Sequence, residues 1–302
     1  MSLLQNLAAR VRRPVGNPDE EQNQDVYSDT YLMDKVMNMD SQPQTSRVGG
    51  EYLHVSSLIS MCVRKHVLAY VSKAERTEVV KPSMRIVWAL GRAAENHVRT
   101  QFIDAMNYEG IVGMWKCSCG HLKVQGLYND TLKCPKCSKK AKKYNEASVF
   151  DHEYRIVGSP DLLYIRPDNK KIMVVECKSI NKKDFDLLTR PKMDHILQAA
   201  CYNRLLEKEG VDVDKTVTIL YVCKDFSFTG SPYKEFRVPV NTADVSFSVI
   251  EMWSKARQFA EQKKNHDEKE LVTYPNRLPM CSSRDSTFAK DCSFCGMCFS
   301  VR

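Results

Sequence analysis

The chain has 302 residues, is 43% hydrophobic and 27% charged, and carries a formal net charge of +8 and 12 cysteines. Its longest apolar runs, such as TILYVC at 218–223, are too short for a membrane-spanning helix, and the opening MSLLQNLAARVRRP lacks the apolar core and cleavage site of a secretory signal. The cysteines cluster at metal-ligand spacings instead of spreading as a disulfide framework, so a soluble, cytoplasmic protein of one large or two modest domains is expected.

Residues 1–50 are rich in acids and amides and weakly periodic, and read as a flexible arm with one short amphipathic stretch, LLQNLAARV. A helical part follows over 51–110. SSLISMCVRKHVLAYV (56–71) begins at a Ser cap, and MRIVWALGRAAENHVRTQFIDAM (84–106) is a long helix. Residues 111–146 form a cysteine- and lysine-rich insert. Over 147–240 the pattern changes to short β-branched runs: SVFDHEYRIV (148–157), SPDLLYIR (159–166) and KIMVVECKS (171–179), the last two joined by a Pro-Asp-Asn turn. MDHILQAACYNRLLEKEG (193–210) is a helix ending at glycine, VTILYVCK (217–224) a buried strand and YKEFRVPV (233–240) an edge strand. The last part, 241–302, holds an amphipathic helix over 242–264, with Val245, Val249, Met252, Trp253, Ala256 and Phe259 on one side, and then a cysteine-rich tail. Helix, three strands, helix, strand implies an α/β core whose mixed central sheet is flanked by helices.

In the insert, fourteen residues separate Cys117-Ser-Cys119 from Cys134-Pro-Lys-Cys137. Two such knuckles give tetrahedral thiolate coordination, so a closed, structural Zn²⁺ is expected, with no need of the adjacent His121. Between Lys116 and Lys143 eight lysines meet one acid, Asp130, an excess of +7. A ribbon too short for its own core would be stapled by the metal and would present this charge. A solvated surface loop has the same composition; the functional reading is that Lys139, Lys140, Lys142 and Lys143 grip DNA.

The chemistry concentrates in GSPDLLYIRPDNKKIMVVECK (158–178). Glu176 and Lys178 are two apart at the end of an apolar strand and so project from one face. Charges there are costly unless used. Asp161, from the preceding strand, adds a second carboxylate. Asp161 and Glu176 are hard oxygen ligands suited to Mg²⁺ or Mn²⁺, and Lys178 can orient the attacking water and steady charge on a phosphate. Gln198 and Tyr202 share one helix face, and Glu153 offers a further acid nearby.

Gly91-Arg-Ala-Ala-Glu-Asn-His97, Gly158-Ser-Pro-Asp161, Glu176-Cys-Lys178 and Gln198-Ala-Ala-Cys-Tyr202 occur in that order. The set resembles the PD-(D/E)xK nuclease superfamily, in its RecB-like exonuclease branch, over roughly residues 51–300. The resemblance implies a restriction-endonuclease-like core. It also implies His97 as a nitrogen ligand, the Cys177 backbone carbonyl as a further metal ligand, and Gln198 and Tyr202 at the substrate phosphate or the active-site lysine.

The tail carries Cys281, Cys292, Cys295 and Cys298, and Cys62 stands alone in the first ordered helix. Cys-x2-Cys-x2-Cys matches spacing seen in cluster-binding ferredoxins. One distant N-terminal cysteine plus a C-terminal group resembles the iron–sulfur members of the branch, including CRISPR-associated four-cysteine exonucleases. There a 4Fe–4S cluster staples the first helix to the chain end. The intervals here differ from the usual Cys-x2-Cys-x5-Cys, and five thiols compete for four positions. Cys62, Cys281, Cys292 and Cys298 is one solution, favoured by similarity to phage members; Cys62, Cys292, Cys295 and Cys298 is the other. Zinc on the same residues is an alternative. Cys177, Cys201 and Cys223 read as ordinary buried thiols.

The expected function is a metal-dependent DNA exonuclease acting on single strands or duplex ends and leaving a 5′-phosphate. The ribbon is similar to that of phage-encoded members, which implies DNA replication, recombination or degradation and proteins of those processes as partners. A structure-specific endonuclease of the same fold and a non-catalytic DNA-binding scaffold are the rival readings.

Overall fold

The computed structural model describes residues 44–45, 50–73, 77–78, 82–225 and 230–301, so the expected N-terminal arm lies almost entirely outside them. These residues belong to one unit, Pro43–Arg302. In chain order the strands are β1 (Gln44–Thr45), β2 (Leu53–His54), β3 (Thr77–Glu78), β4 (Ile111–Lys116), β5 (Lys123–Leu127), β6 (Lys143–Asn145), β7 (Val149–Asp151), β8 (Ile156–Gly158), β9 (Leu162–Ile165), β10 (Ile172–Ile180), β11 (Thr216–Cys223) and β12 (Tyr233–Pro239). The helices are α1 (Val55–Leu58), α2 (Val63–Ser72), α3 (Pro82–Ala105), α4 (Lys182–Leu187), α5 (Met193–Lys208), α6 (Ala243–Asp267), α7 (Thr287–Lys290) and α8 (Cys295–Ser300), with a 3-10 turn at Pro279–Cys281.

The fold is mixed α/β. A seven-stranded sheet runs in the order β12-β11-β10-β9-β4-β5, and β6 also pairs with β4. β10 and β11 are parallel; the other pairs are antiparallel. β10 and β11 read as nearly unbroken apolar runs because both faces are covered. β12 is the edge strand, alternately exposed and half-buried. Side-chain alternation sorts β10 between two layers. Val175 and Cys177 pack with Val98 and Ile103 of α3, whereas Val174 and Ile180 join the core of α5 and α6. The six residues expected on the inner side of the 242–264 helix are all in that core.

Three local readings change. The helix expected over 56–71 is broken into α1 and α2, and Cys62 stands in extended backbone at the N-cap of α2. Val55, Leu58, Met61 and Val63 are all buried, yet in one helix they would spread over about 200° of its circumference; the break lets all four reach the core. The strand expected over 148–157 is the β7–β8 hairpin. Asp151 turns it by accepting the Glu153 and Tyr154 N–H groups at 3.1 Å each. Finally, the 111–146 segment extends the central sheet, since β4 pairs with β9 through Ile111↔Tyr164 and Val112↔Leu163. Among the described residues no helix is long and apolar enough to cross a membrane.

Buried Arg64 fastens the tail to α2. Its guanidinium donates to the carbonyls of Tyr274 at 3.2 Å, Pro275 at 3.0 Å, Cys298 at 3.1 Å and Val301 at 2.6 Å. No other residue type offers so many donors on one rigid fork. Arg64→Met keeps the apolar stem but leaves these carbonyls without that donor. It is expected to lower unfolding stability by about 3 kcal/mol and to open residues 275–301 to limited proteolysis. Urea unfolding and a timed trypsin digest check this, and an unchanged midpoint with an intact tail would contradict it.

Candidate active site and metal centres

The site grows from a change of partner along β10. β9 runs beside β10 only as far as Val175, which pairs with Leu162. From Val175 to Ile180 the strand pairs with β11, which lies along its other edge. Beyond Val175, therefore, the β9 edge of β10 carries amides with no strand to receive them, and buried amides require acceptors. Asp161, one residue before β9, takes the Cys177 N–H through Oδ2 at 2.8 Å. Glu95 of α3 takes both the N–H and the hydroxyl of Ser179 through Oε1, each at 3.0 Å. Gly91 makes that second contact available: a Cβ there would lie 2.9 Å from Ser179 Oγ. Glu95, one turn on, shares its face.

Glu176 and Lys178 point to the α5 side, as alternation requires. Lys178 Nζ donates to Glu176 Oε1 at 2.5 Å. Glu176 is 1% exposed, and its other oxygen, Oε2, is buried without a hydrogen-bond partner. Such an atom costs free energy unless something else takes its lone pairs. Burial, then the charge of Asp161, pushes the Glu176 carboxyl up to about 8. Burial likewise pushes Asp161 up to about 6, against Lys178 and the Cys177 amide. For Lys178, burial favours the neutral amine, but Glu176 and Asp161 outweigh it and hold the ammonium above its ordinary range.

Gln198 and Tyr202 lie on α5 and are joined, Nε2 to Oη, at 2.9 Å. The Tyr202 ring lies against Gly158, where a Cβ would meet Cε1 at 2.6 Å. Burial, then Glu176, raises its phenol. The Cys177 side chain is buried, and its carbonyl shares the Asp161-facing strand edge with its N–H, because an extended residue points both groups the same way.

His97 is not brought to this site. It is exposed and sits two residues past Glu95, about 200° round the helix. Glu95 occupies the expected place instead. Arg99, one further turn along, reaches Glu146 at 2.6 Å and Asp161 Oδ1 at 3.6 Å. His195 also enters unannounced: its Nδ1 lies 2.7 Å from Tyr221 Oη, and burial, then Lys178 and Lys192, holds it down to about 4. Gly91 followed four residues later by an acid was the legible signal for Glu95. Glu153 is turned outward to Lys208 at 3.2 Å.

In the ribbon, Cys117, Cys119, Cys134 and Cys137 bring four thiols within 4.8 Å of one another, a group that could hold a metal ion. Both knuckles close alike. The N–H of Cys117 bonds the Leu122 carbonyl at 3.2 Å, and that of Cys134 bonds the Lys139 carbonyl at 3.0 Å. Leu122 N–H also donates to Cys117 Sγ at 3.2 Å, a bond that steadies a ligand thiolate. Lys139, Lys140, Lys142 and Lys143 are all exposed. Lys140 pairs with Asp130 at 2.9 Å, and Lys142 lies 5.5 Å from the Tyr108 ring centre. Next to Lys143, Tyr144 donates its hydroxyl to the Asp161 carbonyl at 3.1 Å, so β6 leads from the ribbon to the carboxylates.

Cys62, Cys281, Cys292, Cys295 and Cys298 line one recess with Leu68, Phe294 and Phe299. Burial raises the Cys62 thiol first, and Cys292, Cys298 and Cys281 add to it; burial likewise raises Cys281, with Cys292, Cys298 and Cys295 adding to it. Cys295 Sγ lies 3.8 Å from the Arg284 carbonyl.

Raised carboxyls have a measurable consequence. Between the ordinary glutamate value of 4.5 and about 8, folded Glu176 keeps a proton that the unfolded chain has lost. Metal-free stability therefore falls as pH rises through that window. Glu176→Gln is expected to remove most of this fall and to melt above the wild type at about pH 8. Because ligand carboxylates must be deprotonated to bind a cation, Mn²⁺ should raise the wild-type Tm more at about pH 8 than at about pH 6. Thermal melts in EDTA and in Mn²⁺ check both; a flat metal-free profile would contradict the burial account.

No protein-family model matches the chain, and no curated protein matches it in sequence. Among solved structures, the crystal structure of LHK-Exo in complex with dAMP is similar over 74% of this chain and 92% of that one, at 14% identity and a TM-score of 0.40.

Proposed function

We propose that the chain is a divalent-metal-dependent deoxyribonuclease, working as an exonuclease on single strands or duplex ends. The observation that carries this is the buried, unpartnered Oε2 of Glu176 beside Asp161 and Lys178. Two further features fit a cation: the donors are hard oxygens, and the carboxyls are held high by burial and mutual repulsion. Asp161, Glu176 and Glu95, with the Cys177 carbonyl, would hold Mg²⁺ or Mn²⁺. When bound, that cation would neutralise the carboxylates and polarise a phosphodiester oxygen.

The side chains supply the rest. Lys178, kept protonated by Glu176 and Asp161, acts as a donor that orients the attacking water and balances charge growing on the phosphate. Gln198 is tied to Tyr202, so its amide is held in position to meet a phosphate oxygen or Lys178. Attack in line would leave a 5′-phosphate. The ribbon, with Zn²⁺ on Cys117, Cys119, Cys134 and Cys137, would lay Lys139, Lys140, Lys142 and Lys143 along the DNA. Cys62, Cys281, Cys292 and Cys298 would hold a 4Fe–4S cluster. Phage-type DNA replication, recombination or degradation is the setting such an enzyme suits.

Lys178→Ala should lower turnover about a hundredfold while leaving the Mn²⁺-dependent rise in Tm in place; full activity would sink the mechanism. Linear single-stranded DNA should be digested and its circular form spared, whereas cutting of circles would make the enzyme an endonuclease. Protein purified without oxygen should be brown and hold iron and sulfide. Cys62→Ser and Cys292→Ser should lose the colour and Cys295→Ser keep it; a colourless protein with zinc alone would reject the cluster.

A further inference from the structure

Among the described residues, the first half of α3 is largely exposed. Met84, Ile86, Val87, Trp88 and Leu90 are 43–58% exposed, whereas Val98 and Ile103 in the second half are buried. At 3.6 residues per turn, Met84, Trp88, Gly91 and Glu95 fall on one line of the helix. That line meets β10 at Ser179 through Gly91 and Glu95. Met84 and Trp88 are thus the exposed continuation of the face that enters the candidate active site, whereas Ile86 and Leu90 lie on the far side of the helix. Trp88 stands seven residues before Glu95, about 10 Å along the axis.

The charge around this face selects its occupant. Residues 82–94 contain Arg85 and Arg92 and no acid. Arg92 is exposed, one turn beyond Trp88. An exposed aromatic beside an exposed cation, Trp88 with Arg92, suits a polyanion whose repeating units have exposed apolar faces, which is single-stranded nucleic acid. A duplex hides its base faces in the stack. A second copy of the chain docking through this face on a two-fold axis would bring the two exposed Arg92 side chains toward each other, with no acid on residues 82–94 to offset them.

We propose that Trp88, with Met84, is a stacking platform for unpaired bases of a strand leading to the carboxylate site, with Arg92 at its backbone. The proposal rests on the nuclease reading for what the neighbouring site does, and it makes the single strand the form that site receives. Trp88 should then be a residue of substrate selection, distinct from the groups at the reacting phosphate.

The molecule carries its own probe. Of its three tryptophans, Trp115 is 2% exposed and Trp253 9%, against 43% for Trp88. In EDTA, where nothing is cut, an oligothymidylate of about 15 nucleotides, within the site sizes of single-strand binders, is expected to quench tryptophan emission. Trp88→Ala should abolish the quenching and weaken binding of a labelled oligothymidylate about tenfold. Trp88→Phe should restore most of that affinity, and a blunt duplex should bind all three proteins alike. Absence of quenching at saturating oligonucleotide, or equal affinity of Trp88→Ala, would overturn the platform. So would a dimer that Trp88→Ala converts to monomer in sedimentation while oligonucleotide affinity holds. Quenching that persists in a protein with no metal-dependent cutting would support the platform and overturn the nuclease reading instead.

Discussion

The partner change at Val175 governs the site. A strand that paired with β9 over its whole length would spend the N–H groups of Cys177 and Ser179 on a neighbour's carbonyls. Here β10 leaves β9 at Val175 and gains β11, so two edge amides need acceptors, and carboxylates supply them. Backbone hydrogen bonding thus fixes Asp161 and Glu95 at amides two residues apart along a strand edge, those of Cys177 and Ser179, with Glu176 just before the first and Lys178 between them. A carboxylate held by an amide of a central strand has little freedom to wander, which is the preorganisation that electrostatic chemistry needs.

Holding charge there requires a stiff surround. Asp151, itself buried, accepts from Lys208 at 2.6 Å and from the Trp253 indole at 3.0 Å, which ties the β7–β8 hairpin to α5 and α6. α5 carries Gln198 and Tyr202, so the back of that helix is anchored while its front faces Glu176. Arg64 does the equivalent for the tail, drawing Tyr274, Pro275, Cys298 and Val301 toward α2. Arg64 is two residues past Cys62, so the same turn of chain that presents a thiol to the tail cysteines also binds their backbone.

What the sequence disclosed follows the range of each signal. Alternation within one strand is enough to put Glu176 and Lys178 on one face, and local spacing is enough to group the four ribbon thiols. The central strands and the 242–264 helix were legible because their burial is uniform or strictly periodic. Residue type favours His97, the nitrogen ligand, but helical phase puts only Glu95 in line with Gly91. The broken helix at 59–62 depends on where a distant core lies, which no local pattern states. The 148–157 hairpin was hidden because the Asp151 turn holds no glycine or proline. His195 and Arg99 acquire their roles from partners far along the chain, Tyr221 and Asp161.

Charge counting separates this cluster from an ordinary buried ion network. Glu95, Glu146, Asp161 and Glu176 bring four carboxyls together, and Lys178 and Arg99 bring two cations. His195, held down to about 4, adds none at neutral pH. A structural network tends toward balance, since an uncompensated buried charge is costly. With every carboxyl ionised, this one would be short by two positive charges. In the metal-free protein protons make up part of that deficit, which is the physical content of the raised Asp161 and Glu176. The Glu146 side chain is 36% exposed and can leave its charge to solvent, so the buried part of the deficit lies at Asp161 and Glu176; a divalent cation would offset it, and the unpartnered Glu176 Oε2 marks where it would be felt most.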